Sequence, residues 1–420
     1  MKLGLRIEFI DDIHRILDIS RDYMIKPPVK RAISIYEKQN GCYGTFIYKN
    51  PSKNGNEHSI CFRSRLGDKD SKDGEVYSSA LRYYNKSIDI LAIKIVPLYS
   101  DRIKNEHEIP ILHKLTILCK TKQTRFPNIP LLYGYCITQV DERTIYRNQH
   151  IINRIESFID QNKLKVIRND KNKLLKEYNK VYDAKYGGTC NVIIVEKCHG
   201  TLATLIKSGA LNDKIMISIV AQILISLEYI HSTAKVLHLD LHLGNILYDY
   251  VPNNSYLTYH YKSKKYIIPT YGYIIKIWDY GNSIFMNTLK SPVIKSTIFD
   301  KFIVRNIREL DTSFMSSSKL VRTHEQKTLR SDYGLSAIDI MRFSHALWVY
   351  NSKYNKSKNW KSMKILTNIQ SYTYRYMDKI AKNEQAGIKY GDMFLYERYV
   401  HEYIDKILPP FFTEYDYGYL

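Results

Sequence analysis

The sequence has no C-x-x-C pair: Cys42, Cys61, Cys119, Cys136, Cys190 and Cys198 are scattered along the chain. That spacing argues against a zinc ribbon and against a disulfide framework, and it fits a reducing compartment. Long uncharged apolar runs are also missing. The first thirty residues carry Lys2, Arg6, Glu8, Asp11, Asp12 and Arg15, so no secretory h-region is expected. The most apolar stretch, Ile215 to Ile230, is interrupted by Gln222 and Glu228 and reads as too short for a bilayer span. A soluble, intracellular protein without a transmembrane segment is therefore expected. Acidic residues are in deficit, with 42 Asp+Glu against 63 Lys+Arg and a formal net charge of +21. Such an excess suits nucleic acid, an anionic membrane face, acidic protein segments or a polyphosphate ligand. A lysine-rich solvated surface accounts for the same number. No internal repeat is found.

What is present describes a folded chain. Hydrophobic residues make up 44% of the 420 positions, enough for a large core and for two domains or one bilobal unit. The 37 tyrosines, with many Lys, Ile and Asn, share A/T-rich codons and report a genome rather than a function. Residues 1 to 30 read as an N-terminal extension ending at Lys26-Pro27-Pro28. Ile33 to Tyr48 alternates β-formers about a glycine turn and reads as a hairpin. Asn50 to Glu75 is polar, rich in turn residues and without period, so a long surface loop is expected. Ile88 to Val96 reads as a buried strand, and Glu106 to Leu118 has apolar residues close to one helical face. Leu131 to Thr138 and Asn191 to Val195 are further strands. A basic, helix-prone insertion runs between them from about Gln149 to Tyr186. Asp213 to His231 is an amphipathic helix, Tyr273 to Trp278 a short strand pair, and the remainder mostly helical. A strand-rich first half and a helix-rich second half predict an α+β protein with two lobes.

The chemistry-bearing residues begin after the amphipathic helix. In His238-Leu239-Asp240-Leu241-His242-Leu243-Gly244-Asn245-Ile246-Leu247 an Asp and an Asn stand five positions apart, and Asp279-Tyr280-Gly281 follows the later strand. Phosphoryl transfer needs a carboxylate to orient a hydroxyl, and oxygen ligands to hold Mg²⁺ against phosphates. Asp240 suits the first need, Asn245 and Asp279 the second. A glycine at 281 suits the bend that would aim Asp279.

This segment resembles the catalytic loop and metal-binding motif of the eukaryotic protein kinase family, H-R-D-L-x-x-x-N followed by D-F-G. The resemblance covers roughly residues 33 to 350 and implies a bilobal protein-kinase-like fold, with a small β-rich N-lobe and a larger helical C-lobe. It implies a division into residues 31–197, with insertions near 50–86 and 141–188, and 198–420. Ala92-Ile93-Lys94 resembles the V-A-I-K strand, so Lys94 is implied to bind the α- and β-phosphates. Ala92 and Leu247 are then implied to pack on the adenine. Glu108 matches the helix glutamate that pairs with that lysine. Pro110 would place the helix start later, which keeps Glu106 as a second candidate. Asn40 to Phe46 resembles the glycine-rich loop, with Gln39, Gly41, Tyr43, Gly44 and Phe46 at the phosphates. Phe126 to Tyr135 resembles the turn and strand ahead of the hinge, and Val195 to Cys198 the hinge. Glu196 and Cys198 are then implied to read the adenine edge. Asp339 to Leu347 resembles the helix whose aspartate anchors the catalytic loop.

The pattern departs from the family in places. Leu239 replaces the arginine of H-R-D. His242 stands where serine/threonine kinases place a lysine, and a neutral His brings less charge. No A-P-E is visible, and the stretch from Asp279 to Asp339 implies an insertion, near 282–330. The departures and the composition resemble serine/threonine kinases of large DNA viruses, which implies residence in host cytoplasm or virion. The expected function is ATP- and Mg²⁺-dependent phosphorylation of Ser/Thr hydroxyls on proteins, with Asp240 as base. Two alternatives stand beside it: a kinase-fold phosphotransferase acting on a small molecule, and a basic pseudokinase scaffold that binds nucleic acid or virion components.

Overall fold

The computed structural model describes residues 31–39, 42–49, 58–66, 75–83, 86–97, 107–120, 126–140, 156, 159–186, 189–261, 264–286, 339–340, 342–344 and 346–347. They divide between two compact units. The first holds the described residues up to Thr116 and from Pro130 to Lys197, the second Ile117–Ile129 and those from Cys198 onward.

Seven strands build the first unit: β1 (Arg31–Gln39), β2 (Cys42–Lys49), β3 (His58–Leu66), β4 (Glu75–Tyr83), β5 (Lys86–Pro97), β6 (Leu132–Val140) and β7 (Thr189–Glu196). They close into a barrel in the order β1-β2-β3-β4-β5-β7-β6. All neighbours are antiparallel except β1 and β6, whose parallel pairing completes the ring. Ile60, Phe62, Leu81, Leu91, Ile93, Val192 and Ile194 are buried from these strands. Helix α1 (Glu108–Lys120) leads out of this unit and buries Ile111, Leu112 and Leu115. Between β6 and β7 lie α2 (Gln161–Ile167) and α3 (Lys171–Tyr186). Asp160 caps α2 by accepting the N–H groups of Asn162 and Lys163, and Lys163 pairs with Glu177 of α3 at 2.6 Å.

Two readings of the sequence are corrected here. The polar stretch from Asn50 to Glu75 is not one long loop, because β3 lies within it. Three adjacent residues of β3, Ile60, Cys61 and Phe62, are all buried, so the alternation that signals a half-exposed strand is absent. Cys61 is disulfide-bonded, although the scattered cysteines suggested no bridge. Spacing along the chain does not reveal which cysteines strand pairing brings together. Cys119, Cys136, Cys190 and Cys198 form no disulfide.

The second unit is organised around a long helix. It contains β8 (Gly200–Thr201), α4 (Leu202–Lys207), α5 (Asp213–Ser232), β9 (Val236–Leu237), β10 (Ile246–Tyr250), β11 (Tyr256–Tyr261), β12 (Lys264–Pro269), β13 (Tyr273–Ile277) and β14 (Ile284–Phe285). Helical residues between 339 and 347 bury Ile340, Phe343 and Leu347. Asn212 caps α5 by accepting the Ile215 N–H at 3.0 Å, and Asp213 in the first turn and His231 in the last suit the helix dipole.

Helix α5, at 20 residues, is longer than the apolar stretch read from the sequence and passes as a membrane span by length and composition alone, but most of it is buried in the protein's own core, so the described residues hold no clear transmembrane segment. Gln222, which interrupts its apolar run, is buried and tied in. Its amide nitrogen donates to Ser218 Oγ and to the Tyr273 carbonyl, and its oxygen accepts the Ile275 N–H at 2.9 Å. One polar side chain thereby registers α5 against β13.

Candidate active site

Two short ladders hold the loop 238–245 beside the segment 278–283. Strand β9 enters the loop and β10 leaves it, while β13 enters the segment and β14 leaves it. Leu237 pairs with Ile284 across β9 and β14, and Ile246 with Ile277 across β10 and β13. Each end of one loop is thus clamped to an end of the other.

Hydrogen bonds fix what lies between. The Asn245 amide nitrogen donates to the Asp240 carbonyl at 2.9 Å, and the Asn245 carbonyl accepts the Trp278 N–H at 2.9 Å. His238 is buried with Nε2 2.9 Å from the Trp278 carbonyl, and its own carbonyl accepts from Ser283 Oγ at 3.0 Å. Asp279, next in line, has φ 65° and ψ 74°, the left-handed region, and its Oδ1 accepts the Gly281 N–H at 3.4 Å. Aspartate tolerates that region better than most residues because it can bond locally. Asp240, Asn245 and Asp279 are therefore brought together by one continuous network.

A second grip comes from the helical residues near 339. Asp339 is fully buried. Its Oδ2 accepts the His238 N–H at 2.8 Å and lies 2.9 Å from His231 Nε2, while Oδ1 accepts the Leu239 N–H at 2.7 Å. Burial alone would raise the Asp339 pKa, but the bonds to His231 and His238 outweigh it and hold the group below its ordinary value. One turn on, Arg342 Nη1 donates to the Leu239 carbonyl at 2.6 Å and meets Asp240 Oδ1 at 2.9 Å. Asp240 Oδ2 accepts from the Asn282 amide at 2.9 Å.

His242 projects from the same loop and is partly exposed. Desolvation by surrounding atoms pushes its pKa below the ordinary 6.5. Asp240 and Asp279 pull it back up while Arg342 pushes it down. The ring is neutral at pH 7, and its Nδ1 accepts the Gly244 N–H at 3.1 Å. A Cβ at 244 would stand 2.9 Å from that ring, so glycine lets it fold back.

In the first unit, Lys94 Nζ lies 2.6 Å from Glu108 Oε1, with both groups buried. Ala92 and Lys94 are two residues apart on β5 and so share a face. Pro110 does not push the helix start past Glu108. The first intrahelical bond runs from the Ile111 N–H to the His107 carbonyl at 2.9 Å, which leaves Pro110 in the first turn, where no N–H is needed. Glu106 lies outside the described residues. At the end of β7, the Glu196 N–H donates to the Leu131 carbonyl at 2.9 Å, and its carboxylate accepts the Leu131 N–H at 3.3 Å. Cys198 is half-buried at the start of the second unit, where Leu247 sits on β10 opposite Thr201 and Lys276.

The expected glycine-rich segment lands elsewhere. Gln39 ends β1, and Tyr43, Gly44 and Phe46 lie on β2, while Gly41 is outside the described residues. Strand β2 pairs with β3, not with β5, so two strands separate this hairpin from Lys94. Lys94 is flanked by β4, with Val76 directly opposite it, and by β7, with Ile193 opposite. The hairpin bordering the lysine is therefore β3–β4, whose connection, 67–74 and outside the described residues, carries Gly67 and Gly74. The sequence reading placed these glycines in the polar surface loop from Asn50 to Glu75. It also passed over Arg342 and Asn282 as partners of Asp240. The spacing of Asp339 and Arg342, three apart on one helical face, was the available signal.

The donor set fits a hard divalent cation. Asn245 commits its amide nitrogen to the Asp240 carbonyl, which leaves Oδ1 as the ligand atom, and Asp279 adds a carboxylate. Two protein oxygens of this kind suit Mg²⁺, which takes one or two carboxylates and completes its shell with phosphates and water. A family model described as protein kinase domain matches residues 73–305, more than half of the chain. No curated protein matches the chain significantly.

Proposed function

We propose that this chain, which belongs to the protein kinase family and is a kinase-fold phosphotransferase, transfers the γ-phosphate of ATP to Ser/Thr hydroxyls of proteins with Asp240 as the base. The observation that carries this reading is the network joining Asp240, Asn245 and Asp279 through Trp278. Asp240 accepts the hydroxyl proton as the new oxygen–phosphorus bond forms and the bond to ADP breaks. Asn245 and Asp279 would hold Mg²⁺, which when bound neutralises charge on the phosphates. Lys94, oriented by Glu108, takes the α- and β-phosphates. The 67–74 connection is favoured over residues 39–46 as the phosphate-binding segment, because it leads into β4, which borders Lys94. The start of the family match at residue 73 supports the same choice.

The test is transfer of label from ATP to a generic protein substrate by wild type and by Asp240→Asn. A loss of about 10²- to 10⁴-fold in kcat with KM for ATP unchanged is expected. Wild-type turnover by Asp240→Asn would end the assignment.

A second reading keeps the chemistry and changes the acceptor to a small molecule. It rests on His242, which is neutral at pH 7 where serine/threonine kinases carry a lysine charge. Label appearing only in the small-molecule fraction of a metabolite extract would favour it.

A further inference from the structure

We propose that Arg342 is a positioning residue for Asp240: its guanidinium fixes one carboxylate oxygen and leaves the other to receive the acceptor hydroxyl. The proposal rests on the reading of Asp240 as the base. The two oxygens of Asp240 have unlike partners. Oδ1 meets the Arg342 guanidinium at 2.9 Å, and Oδ2 meets the neutral amide of Asn282 at 2.9 Å. A charge-assisted hydrogen bond is about twice as strong as a neutral one, so the partner that yields to an incoming hydroxyl is Asn282. Oδ2 is then the proton-accepting atom.

The anchor behind Arg342 is firm. Its side chain is 12% exposed, against 23% for Asp240, so this is not a solvated surface pair. The same Nη1 holds the Leu239 carbonyl at 2.6 Å, and Asp339 on the same helical stretch holds the Leu239 N–H at 2.7 Å. Leu239 has φ 61°, the left-handed region that an aliphatic side chain is strained to adopt. Both of its backbone polar groups are thus pinned from one helical stretch, which holds the strained turn that presents Asp240. Residue 239 brings no charge to the loop, and a cation reaches this carboxylate from Arg342, about a hundred residues along the chain.

The bland alternative is that Arg342 only braces the Leu239 carbonyl. The full chain is assayed with labelled ATP and dephosphorylated casein, as wild type, Arg342→Gln, Arg342→Lys, Asp240→Asn and the double variant Asp240→Asn/Arg342→Gln. Misplacing a catalytic group by an ångström costs about 10²-fold, so Arg342→Gln is expected to lower kcat by about that factor with KM for ATP within about twofold. Arg342→Lys should recover part of the loss. In the Asp240→Asn background, Arg342→Gln should lower the residual rate no further, because it acts through that carboxylate. Wild-type kcat in Arg342→Gln, or multiplicative losses in the double variant, would overturn the proposal. If Arg342→Gln does not fold by thermal unfolding, Arg342→Lys and its double variant with Asp240→Asn decide in the same way. Wild-type turnover by Asp240→Asn would instead remove the function reading. An inactive Asp240→Asn beside a fully active Arg342→Gln removes this proposal alone.

Discussion

Lys94 Nζ and Glu108 Oε1 stand 2.6 Å apart, with side-chain exposures of 5% and 2%. An ion pair this buried is costly to break and need not be costly to replace. Lys94→Met is expected to lower phosphoryl transfer at least about 10²-fold and to destabilise the protein by about 3–5 kcal/mol, because Glu108 loses its cation. Lys94→Met/Glu108→Leu should restore most of the stability and none of the activity. Urea unfolding and transfer rates, measured on the same samples, check both halves.

Gly74 and Gly44 offer a direct choice between two phosphate loops. Gly74→Val is expected to raise KM for ATP about tenfold or more, since a side chain would hold the backbone N–H groups off the phosphates. Gly44→Ala, on a strand that does not border β5, should leave KM for ATP within about twofold. The reverse pattern in nucleotide titrations would return the loop to residues 39–46.

Asp339 supplies acceptors for the buried N–H groups of His238 and Leu239. Asp339→Ala leaves two buried donors without that partner, at about 1–3 kcal/mol each. Because its pKa is held below the ordinary 3.8, wild type draws stability from this group above that value and loses it as pH falls through the folded pKa. Asp339→Asn should flatten that acid loss, which chemical unfolding between about pH 5 and pH 2 would measure.

His242 works the other way round. Its pKa is depressed below 6.5, so the unfolded chain binds the proton first as pH falls. Stability is then expected to decline as pH drops below about 6.5 and to level off below the folded pKa. His242→Gln should remove that component. Thermal midpoints of both proteins across this pH range make the comparison.

The parts of the site that could be read from sequence are those whose partners are near in the chain or sit at fixed spacing. Asp240 and Asn245 share one loop, and Asp279 follows a strand that pairs with the end of that loop. Lys94 and Glu108 are fourteen residues apart, on a strand and on the first turn of a helix. The hairpin that borders the lysine strand escaped because strand order is a tertiary property. Nothing in Gly41-Cys42-Tyr43-Gly44 says that β3 and β4 will intervene before β5. Strand β4 itself, EVYSSALRY, is poor in β-formers and exists through its pairing with β3 and β5. Arg342 escaped for a related reason: its contacts to Leu239 and Asp240 cross about a hundred residues, and its three-residue spacing from Asp339 marks a shared helical face without saying what that face meets.

The ring of seven strands has no bare edge, because the Arg31–Lys49 hairpin bridges β3 to β6. The family resemblance, beginning at residue 73, therefore understates what must be synthesised together. A fragment trimmed to the matched region would leave β4 and β6 each with unpaired N–H and C=O groups, a template for sticking to its own copies. A piece that keeps the ring closed around the lysine strand starts no later than Arg31.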